Sequence, residues 1–263
     1  MHNMRIFTVD SFTDRPFKGN PAAVCLLEAP ATASWMQEVA AEMRHSETAF
    51  VLREGSGYSL RWFTPEVEVA LCGHATLAAA HVLYSIGEES GRIEFSTQSG
   101  ILSVEGDSSG LITMDFPAKP PSECVAPVGL VEALGVEPVW VGNSEFDLLV
   151  EVKSPDIVLE LAPDFGVLAS LEVRGVIVTA VSPDSDVDFV SRFFAPRVGI
   201  DEDPVTGSAH CVLAPYWSGR LGVHALTGRQ LSARGGVVRT TLRDERVLLA
   251  GHAVTVWSGE LHV

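Results

Sequence analysis

Three short stretches of the chain place groups that can move a proton or hold an anion beside small residues. In His45-Ser46-Glu47-Thr48, a carboxylic acid stands between a helix-spaced run and the apolar strand pattern of residues 49–52. A glutamate at the mouth of a strand can reach a bound ligand, which makes Glu47 a candidate general acid or base. Cys72-Gly73-His74-Ala75-Thr76 opens a strongly apolar run. The third stretch is Asp201-Glu202-Asp203-Pro204-Val205-Thr206-Gly207-Ser208-Ala209-His210, after which the chain stays apolar to Trp217. Acids ahead of a helix complement the positive end of its dipole, and proline is favoured in a first turn. The pattern therefore predicts a helix starting near Pro204, with Asp203 as its N-cap. Gly207 and Ser208 carry almost no side chain, so a ligand can approach the free N–H groups there. Two such helix starts aimed at one cleft would hold a carboxylate or a developing enolate, with Glu47 moving a proton beside it. That chemistry is acid–base isomerisation and calls for no cofactor.

Each of these residues also has a purely structural reading. Glu47 could be a solvated strand-end carboxylate, His74 a satisfied histidine at a buried helix start, and Ser208 a small helix residue. Asp203 is accounted for by capping alone, and Cys72 by burial as an inert thiol. His45 could orient Glu47 or lie on the surface. A metal site built from His74, His81 and His210 lacks close acidic partners in the sequence, so none is expected. The chain has no G-x-x-x-x-G-K-[ST], G-x-G-x-x-G, H-E-x-x-H or G-x-S-x-G motif.

The elements that must position these residues follow from composition and periodicity. The 263 residues suit one large domain or two smaller ones, and a 46% hydrophobic content is ordinary for a globular core. Eighteen basic against 34 acidic residues give a net charge of −16, unsuited to nucleic acid or an anionic membrane. A small anionic ligand remains compatible, because a helix end can override the net field locally. The four cysteines are scattered, with no C-x-x-C pair, so a structural zinc site is not expected. No apolar leader or membrane span is evident, and the expectation is a cytoplasmic protein with reduced thiols.

Strands are predicted at residues 5–10, 22–27, 49–52, 60–63, 93–96, 100–105 and 110–116, with helices at 30–44 and 71–86. The proline-rich run 117–121 is the best linker candidate. Beyond it, helices are predicted at 128–134, 164–171 and from Thr206 to Trp217. Strands are predicted at 139–141, 147–152, 173–181, 188–194, 230–233, 237–242, 247–249 and 253–257. The second half echoes the first. Arg61-Trp62-Phe63-Thr64-Pro65 resembles Arg192-Phe193-Phe194-Ala195-Pro196, and Cys72-Gly73-His74-Ala75 resembles Thr206-Gly207-Ser208-Ala209. Gln98-Ser99-Gly100 aligns with Arg234-Gly235-Gly236, and Gly19-Asn20 more weakly with Gly142-Asn143. One period of about half the chain means a duplicated domain, not a solenoid. The run from Ala75 to Leu83 has almost no polar face, so each half is expected to wrap a sheet around a buried helix. The two helix starts are then expected to face an interface, where small-molecule sites are favoured.

With these stretches in order, the chain resembles the PhzF family of phenazine-biosynthesis isomerase-like proteins, relatives of the diaminopimelate epimerase fold. Further signposts are Val9-Asp10-Ser11-Phe12, Phe17-Lys18-Gly19-Asn20-Pro21-Ala22-Ala23-Val24 and Ser46-Glu47-Thr48-Ala49-Phe50. The resemblance implies an α+β fold of two pseudo-symmetric lobes, each a rolled, mostly antiparallel sheet around a central helix. The lobes would cover residues 1–118 and 119–263, with the last strand free to cross back to the first. It implies a homodimer and a cofactor-independent isomerase acting on a small, cyclic or open carboxylate. Its acid/base glutamate falls on Glu47, with His74 and Asp203 as further catalytic residues. Ser208 and the amides of Gly73 and Gly207 would bind the substrate. The related epimerases use one cysteine per lobe; here Cys72 holds the first place and Thr206 the second. A hydroxyl is a poor proton carrier near pH 7, which disfavours a two-thiol mechanism. A one-base racemase using Cys72, and a non-catalytic binder of small acids, are the alternatives.

Overall fold

The computed structural model describes residues 3–262. Its internal contacts divide the chain into one unit that runs through Asp115 and resumes at Ala250, and a second unit, Phe116–Leu249.

In the first unit the elements are β1 (Asn3–Ser11), β2 (Asn20–Leu27), α1 (Ala33–Met43), β3 (Glu47–Glu54), β4 (Gly57–Phe63) and β5 (Glu68–Val69). They continue with α2 (Gly73–Ser85), β6 (Arg92–Thr97), β7 (Gly100–Gly106) and β8 (Ile112–Pro117). β1 pairs antiparallel with β2, β2 parallel with β3, and β3 antiparallel with β4. β4 then pairs antiparallel with β5 and parallel with β6, which pairs antiparallel with β7. Helix α1 begins where the Thr32 hydroxyl accepts from the Trp35 N–H, and it ends on Arg44 at a left-handed φ of 54°. That reversal drops the chain into β3, so Glu47 is the strand's first residue. Helix α2 is buried nearly all round, by Ala75, Leu77, Ala78, Ala79, Ala80, Val82 and Leu83 among others. It packs against β1, β2, β3 and β7, strands from across the sheet, so the sheet curls round it.

The second unit contains β9 (Ser122–Glu123), α3 (Leu130–Leu134), β10 (Trp140–Asn143), β11 (Asp147–Glu151), α4 (Pro155–Glu160) and α5 (Phe165–Ser170). After β12 (Gly175–Val181) and β13 (Phe189–Ala195) come β14 (Ile200–Asp203), α6 (Gly207–Leu221), β15 (Ala225–Gln230), β16 (Gly236–Arg243) and β17 (Arg246–Gly251). The pairing repeats that of the first unit step for step. β10 is antiparallel to β11, β11 parallel to β12, and β12 antiparallel to β13. β13 is antiparallel to β14 and parallel to β15, which is antiparallel to β16. Helix α6 is the counterpart of α2; Val212, Leu213 and Trp217 fill a core with Ile177, Phe189 and Phe193. The final strand, β18 (Ala253–His262), pairs antiparallel with β1 in the first unit.

Several sequence expectations are corrected. Asp203 is not a helix N-cap. Asp201–Asp203 belong to β14, where the Arg192 guanidinium on β13 holds Glu202 at 2.7 and 2.9 Å. The N-cap is Thr206, and Pro204 lies before the helix. The strand expected at 230–233 ends at Gln230, whose side chain turns back to residues 203 and 206; Ser232 donates to the Pro204 carbonyl at 2.8 Å. Gly142-Asn143 close β10, whereas Gly19-Asn20 lead into β2, so that weak alignment joins unlike places. The proline-rich run is not a free tether: the N–H groups of Ala118 and Lys119 donate to the carbonyls of Glu245 and Cys211. The short β5, β9 and α4 had no periodic signal, as two to six residues are too few to show one. Among the described residues, no helix is long and apolar enough to cross a membrane.

Candidate active site

The start of α2 and the mouths of β2 and β3 bring together most of the first unit's candidate residues. His74 is the second residue of α2, and its backbone is fixed by the Ser11 hydroxyl, which donates to the His74 carbonyl at 2.8 Å. Its ring reaches three neighbours along two edges. Nε2 lies 3.2 Å from Glu47 Oε2. Nδ1 lies 3.2 Å from Asn20 Nδ2 and 3.6 Å from Cys72 Sγ. His74, Asn20 and Cys72 are buried and Glu47 is half-buried. Burial, with a smaller contribution from nearby His45, pushes the His74 imidazole down to about 3, so the ring is neutral at physiological pH. His45, which sequence left unassigned, sits 3.2 Å from the Thr8 hydroxyl.

A second cluster surrounds the start of α6, wholly within the second unit. The Thr206 hydroxyl donates a very short hydrogen bond to Asp203 Oδ2. Gln230 clamps the intervening turn: its Oε1 accepts from the Thr206 N–H at 2.9 Å, and its Nε2 donates to the Asp203 carbonyl at 2.7 Å. Ser208 Oγ accepts from Arg174 Nη2 at 3.0 Å. Arg174 is itself held by buried Asp147, Nε donating to Oδ1 at 2.8 Å with a second, shorter bond from Nη2 to Oδ2. The guanidinium lies over the rings of Phe146 and Phe193.

Gly73 and Gly207 are the first residues of their helices, preceded by Cys72 and Thr206 as N-caps, and neither cap uses its side chain on the helix. The Thr206 hydroxyl is committed to Asp203 instead. In each unit the second helical residue, His74 or Ser208, meets a group from the mouth of the parallel strand pair. In the first unit that group is an acid, Glu47. In the second it is a cation, Arg174. At the second unit's counterpart of Glu47 stands Gly175, where a Cβ would come within 2.4 Å of the Phe193 ring. One duplicated frame thus carries opposite charges in its two copies.

Sequence reasoning missed Asn20, Arg174, Asp147 and Gln230. Asn20 reads as part of the Gly19-Asn20-Pro21 turn, and Gln230 was assigned to the wrong end of a strand. Arg174 had a usable signal, because it stands just before β12 as Ser46 stands just before β3.

Glu47, Cys72 and His74 offer an oxygen, a sulfur and a nitrogen within 4.8 Å of one another, so His74 has the close acid that the sequence did not reveal for a metal site. Such a set suits a soft divalent cation. Their arrangement suits one poorly, however. The thiol faces Nδ1 and the carboxylate faces Nε2, while a single ion binds one ring nitrogen. His81 and His210, the other two histidines weighed from the sequence as metal ligands, are engaged elsewhere. His81 Nε2 lies 3.1 Å from the Thr255 hydroxyl, and His210 Nδ1 donates to the Thr206 carbonyl at 2.8 Å.

Comparison with known proteins bears on this geometry. The family model described as phenazine biosynthesis-like protein, PhzC-PhzF, matches residues 9–259. An uncharacterized isomerase of Pseudomonas aeruginosa is 54% identical over 256 residues, covering 97% of each chain. A crystal structure of a PhzF-family phenazine biosynthesis protein from Enterococcus faecalis superposes with a TM-score of 0.96 at 40% identity, covering 100% of both chains. A hydroxyproline epimerase from Agrobacterium vitis, 10% identical, superposes with a TM-score of 0.64 over 98% of this chain and 92% of its own. At that identity the likeness is one of fold, and it places the α+β architecture with the epimerase-like folds.

Proposed function

The chain belongs to the PhzC-PhzF family of phenazine biosynthesis-like proteins, and from that premise we propose that it is an isomerase in which Glu47 moves a proton within a small carboxylic acid. The observation that carries this reading is the Glu47–His74 pair, a half-buried carboxylate 3.2 Å from a buried, neutral imidazole. A carboxylate beside a neutral ring meets no imidazolium charge from it. Glu47 would take a proton from a carbon of the substrate. The C–H electron pair would spread into the conjugated acid, and the protonated glutamate would return the proton to a different carbon. The balance closes without an oxidant or a second reactant, so the reaction needs only the chain's own side chains.

In the second unit Asp203 is the acidic candidate, its carboxylate set by Thr206 and its turn by Gln230. Within each unit the helix start offers a carboxylate site, the Gly73 amide in the first and the Gly207 amide with Ser208 in the second, because the first N–H groups of a helix have no partners within it. Arg174 donates to the Ser208 oxygen, which leaves the Ser208 proton free for a ligand.

The test is deuterium incorporation from D2O into a panel of cyclic amino acids and dihydroaromatic carboxylates. Glu47→Gln is expected to lower exchange about 10²–10⁴-fold, the usual contribution of a general acid or base. Undiminished exchange would remove Glu47 from the chemistry.

One observation favours a second reading, a one-base racemase: Cys72 Sγ lies 3.6 Å from His74 Nδ1, close enough for the ring to take the thiol proton. Activity lost in Cys72→Ser and kept in Glu47→Gln would select it. Activity kept in Cys72→Ser and lost in Glu47→Gln would dismiss it.

A further inference from the structure

We propose that Asn20 sets the tautomer of His74, holding the ring proton on Nε2, the nitrogen that faces Glu47. Asn20 touches no reacting atom in this account; it is a positioning residue, and that role rests on the reading of Glu47 as the proton carrier. The tautomer itself rests on geometry alone.

The amide orientation comes first. Asn20 is buried where β2 begins, directly after Gly19, whose φ of +65° and tight contact with the Ser11 carbonyl fix the approach of the chain. The Ser46 hydroxyl donates to Asn20 Oδ1 at 3.5 Å, which turns the amide nitrogen toward the ring. Asn20 Nδ2 lies 3.2 Å from His74 Nδ1. An NH2 group can only donate, so Nδ1 must present its lone pair. The Cys72 thiol, 3.6 Å from the same nitrogen, is a second donor on that edge. A neutral imidazole carries one proton, and with Nδ1 accepting, that proton sits on Nε2. There it faces Glu47 Oε2 at 3.2 Å.

The opposite tautomer fails on both edges at once. An Nδ1–H would point at the amide and thiol hydrogens, and the bare Nε2 would face the lone pairs of a carboxylate oxygen. Both clashes would occur away from water, where nothing screens them. With the proton on Nε2, the ring edge that faces Glu47 Oε2 at 3.2 Å carries a hydrogen instead of a lone pair.

The measurement is a long-range 1H–15N correlation spectrum of the full chain labelled with 15N-histidine, at neutral pH, with His74 identified by its loss in His74→Gln. The wild type is expected to show a pyridine-like Nδ1 and a protonated, pyrrole-like Nε2 at His74. Asn20→Asp replaces the donor with an acceptor and is expected to bring a proton onto Nδ1. Asn20→Ala, the milder change, is expected to move the Nδ1 signal toward an average of the two tautomers. A protonated Nδ1 in the wild type would overturn the proposal, as would an unchanged His74 spectrum in both variants. Asn20→Asp is further expected to lower D2O exchange of any acid the wild type exchanges by about 10²-fold, the lower end of an acid–base contribution. An inverted tautomer with full exchange would end the positioning role. If no acid exchanges at all, the proposed reaction fails while the spectrum still decides the tautomer.

Discussion

His74 and His210 sit in the first turns of the two central helices, and both are buried without charge. Burial pushes His74 down to about 3 and His210 to about 4, though a hydrogen bond to the Thr206 carbonyl partly offsets the latter. In the unfolded chain both return to the ordinary histidine range near 6.5. The sign follows from proton uptake. Below about pH 6.5 the unfolded chain binds protons that the fold refuses, so acidification favours unfolding, and this contribution is fully present only above that pH. Each histidine is expected to add up to about 1.4 kcal/mol of destabilisation per pH unit as pH falls toward its folded value. His210→Gln, which leaves Glu47 and His74 in place, is expected to flatten the dependence. Urea unfolding at pH 7 and pH 5 compares the two proteins, and identical slopes would show that His210 is not held neutral. At this scale the sequence was informative where a residue broke a pattern. Glu47 stood out because it ends one periodicity and begins another. Asp203 was misjudged because acids before a proline resemble a helix cap, and only the pairing of Glu202 with Arg192 turns that run into a strand. Asn20 was invisible because its partner, His74, is 54 residues away.

The repeated Arg-aromatic-aromatic strands show how one element is used twice with unequal weight. Arg61 on β4 pairs with Glu68 on β5 at 2.7 and 2.8 Å and lies over Phe63; Arg192 on β13 pairs with Glu202 on β14 and lies over Phe194. The difference is in what else each arginine does. Arg192 also donates to the Leu161 carbonyl at 2.7 Å, tying α4 to the sheet, and its side chain is 12% exposed against 30% for Arg61. Arg192→Met is therefore expected to cost roughly 2–3 kcal/mol, the range for losing hydrogen bonds to a charged donor. Arg61→Met, which removes a more exposed guanidinium, is expected to cost about 1 kcal/mol or less. Thermal or urea unfolding of both variants checks the order, and a larger loss at Arg61 would contradict it. The strands and long helices were legible because their periods run over many residues. The acid–arginine pairings were legible only as a repeated Arg-aromatic motif, because each glutamate lies seven to ten residues away across a turn.

Over the whole chain, duplication of one pairing scheme was readable from motif spacing, and the structure gives it strand by strand. What the two copies do differently was not readable. The first places Glu47 against His74, and the second places Arg174 against Ser208. The frame is common, and the two copies differ in a few side chains at strand mouths. The net charge of −16 makes that second-unit arginine notable: it is a cation held in place by a buried aspartate within a strongly acidic chain. The central claim is that a single glutamate carries the proton, and mass spectrometry of a turned-over carboxylate in D2O tests it most directly. The wild type and Cys72→Ser should both place solvent deuterium on carbon, and Glu47→Gln should show at least about a hundredfold less. Equal labelling by wild type and Glu47→Gln would contradict the account.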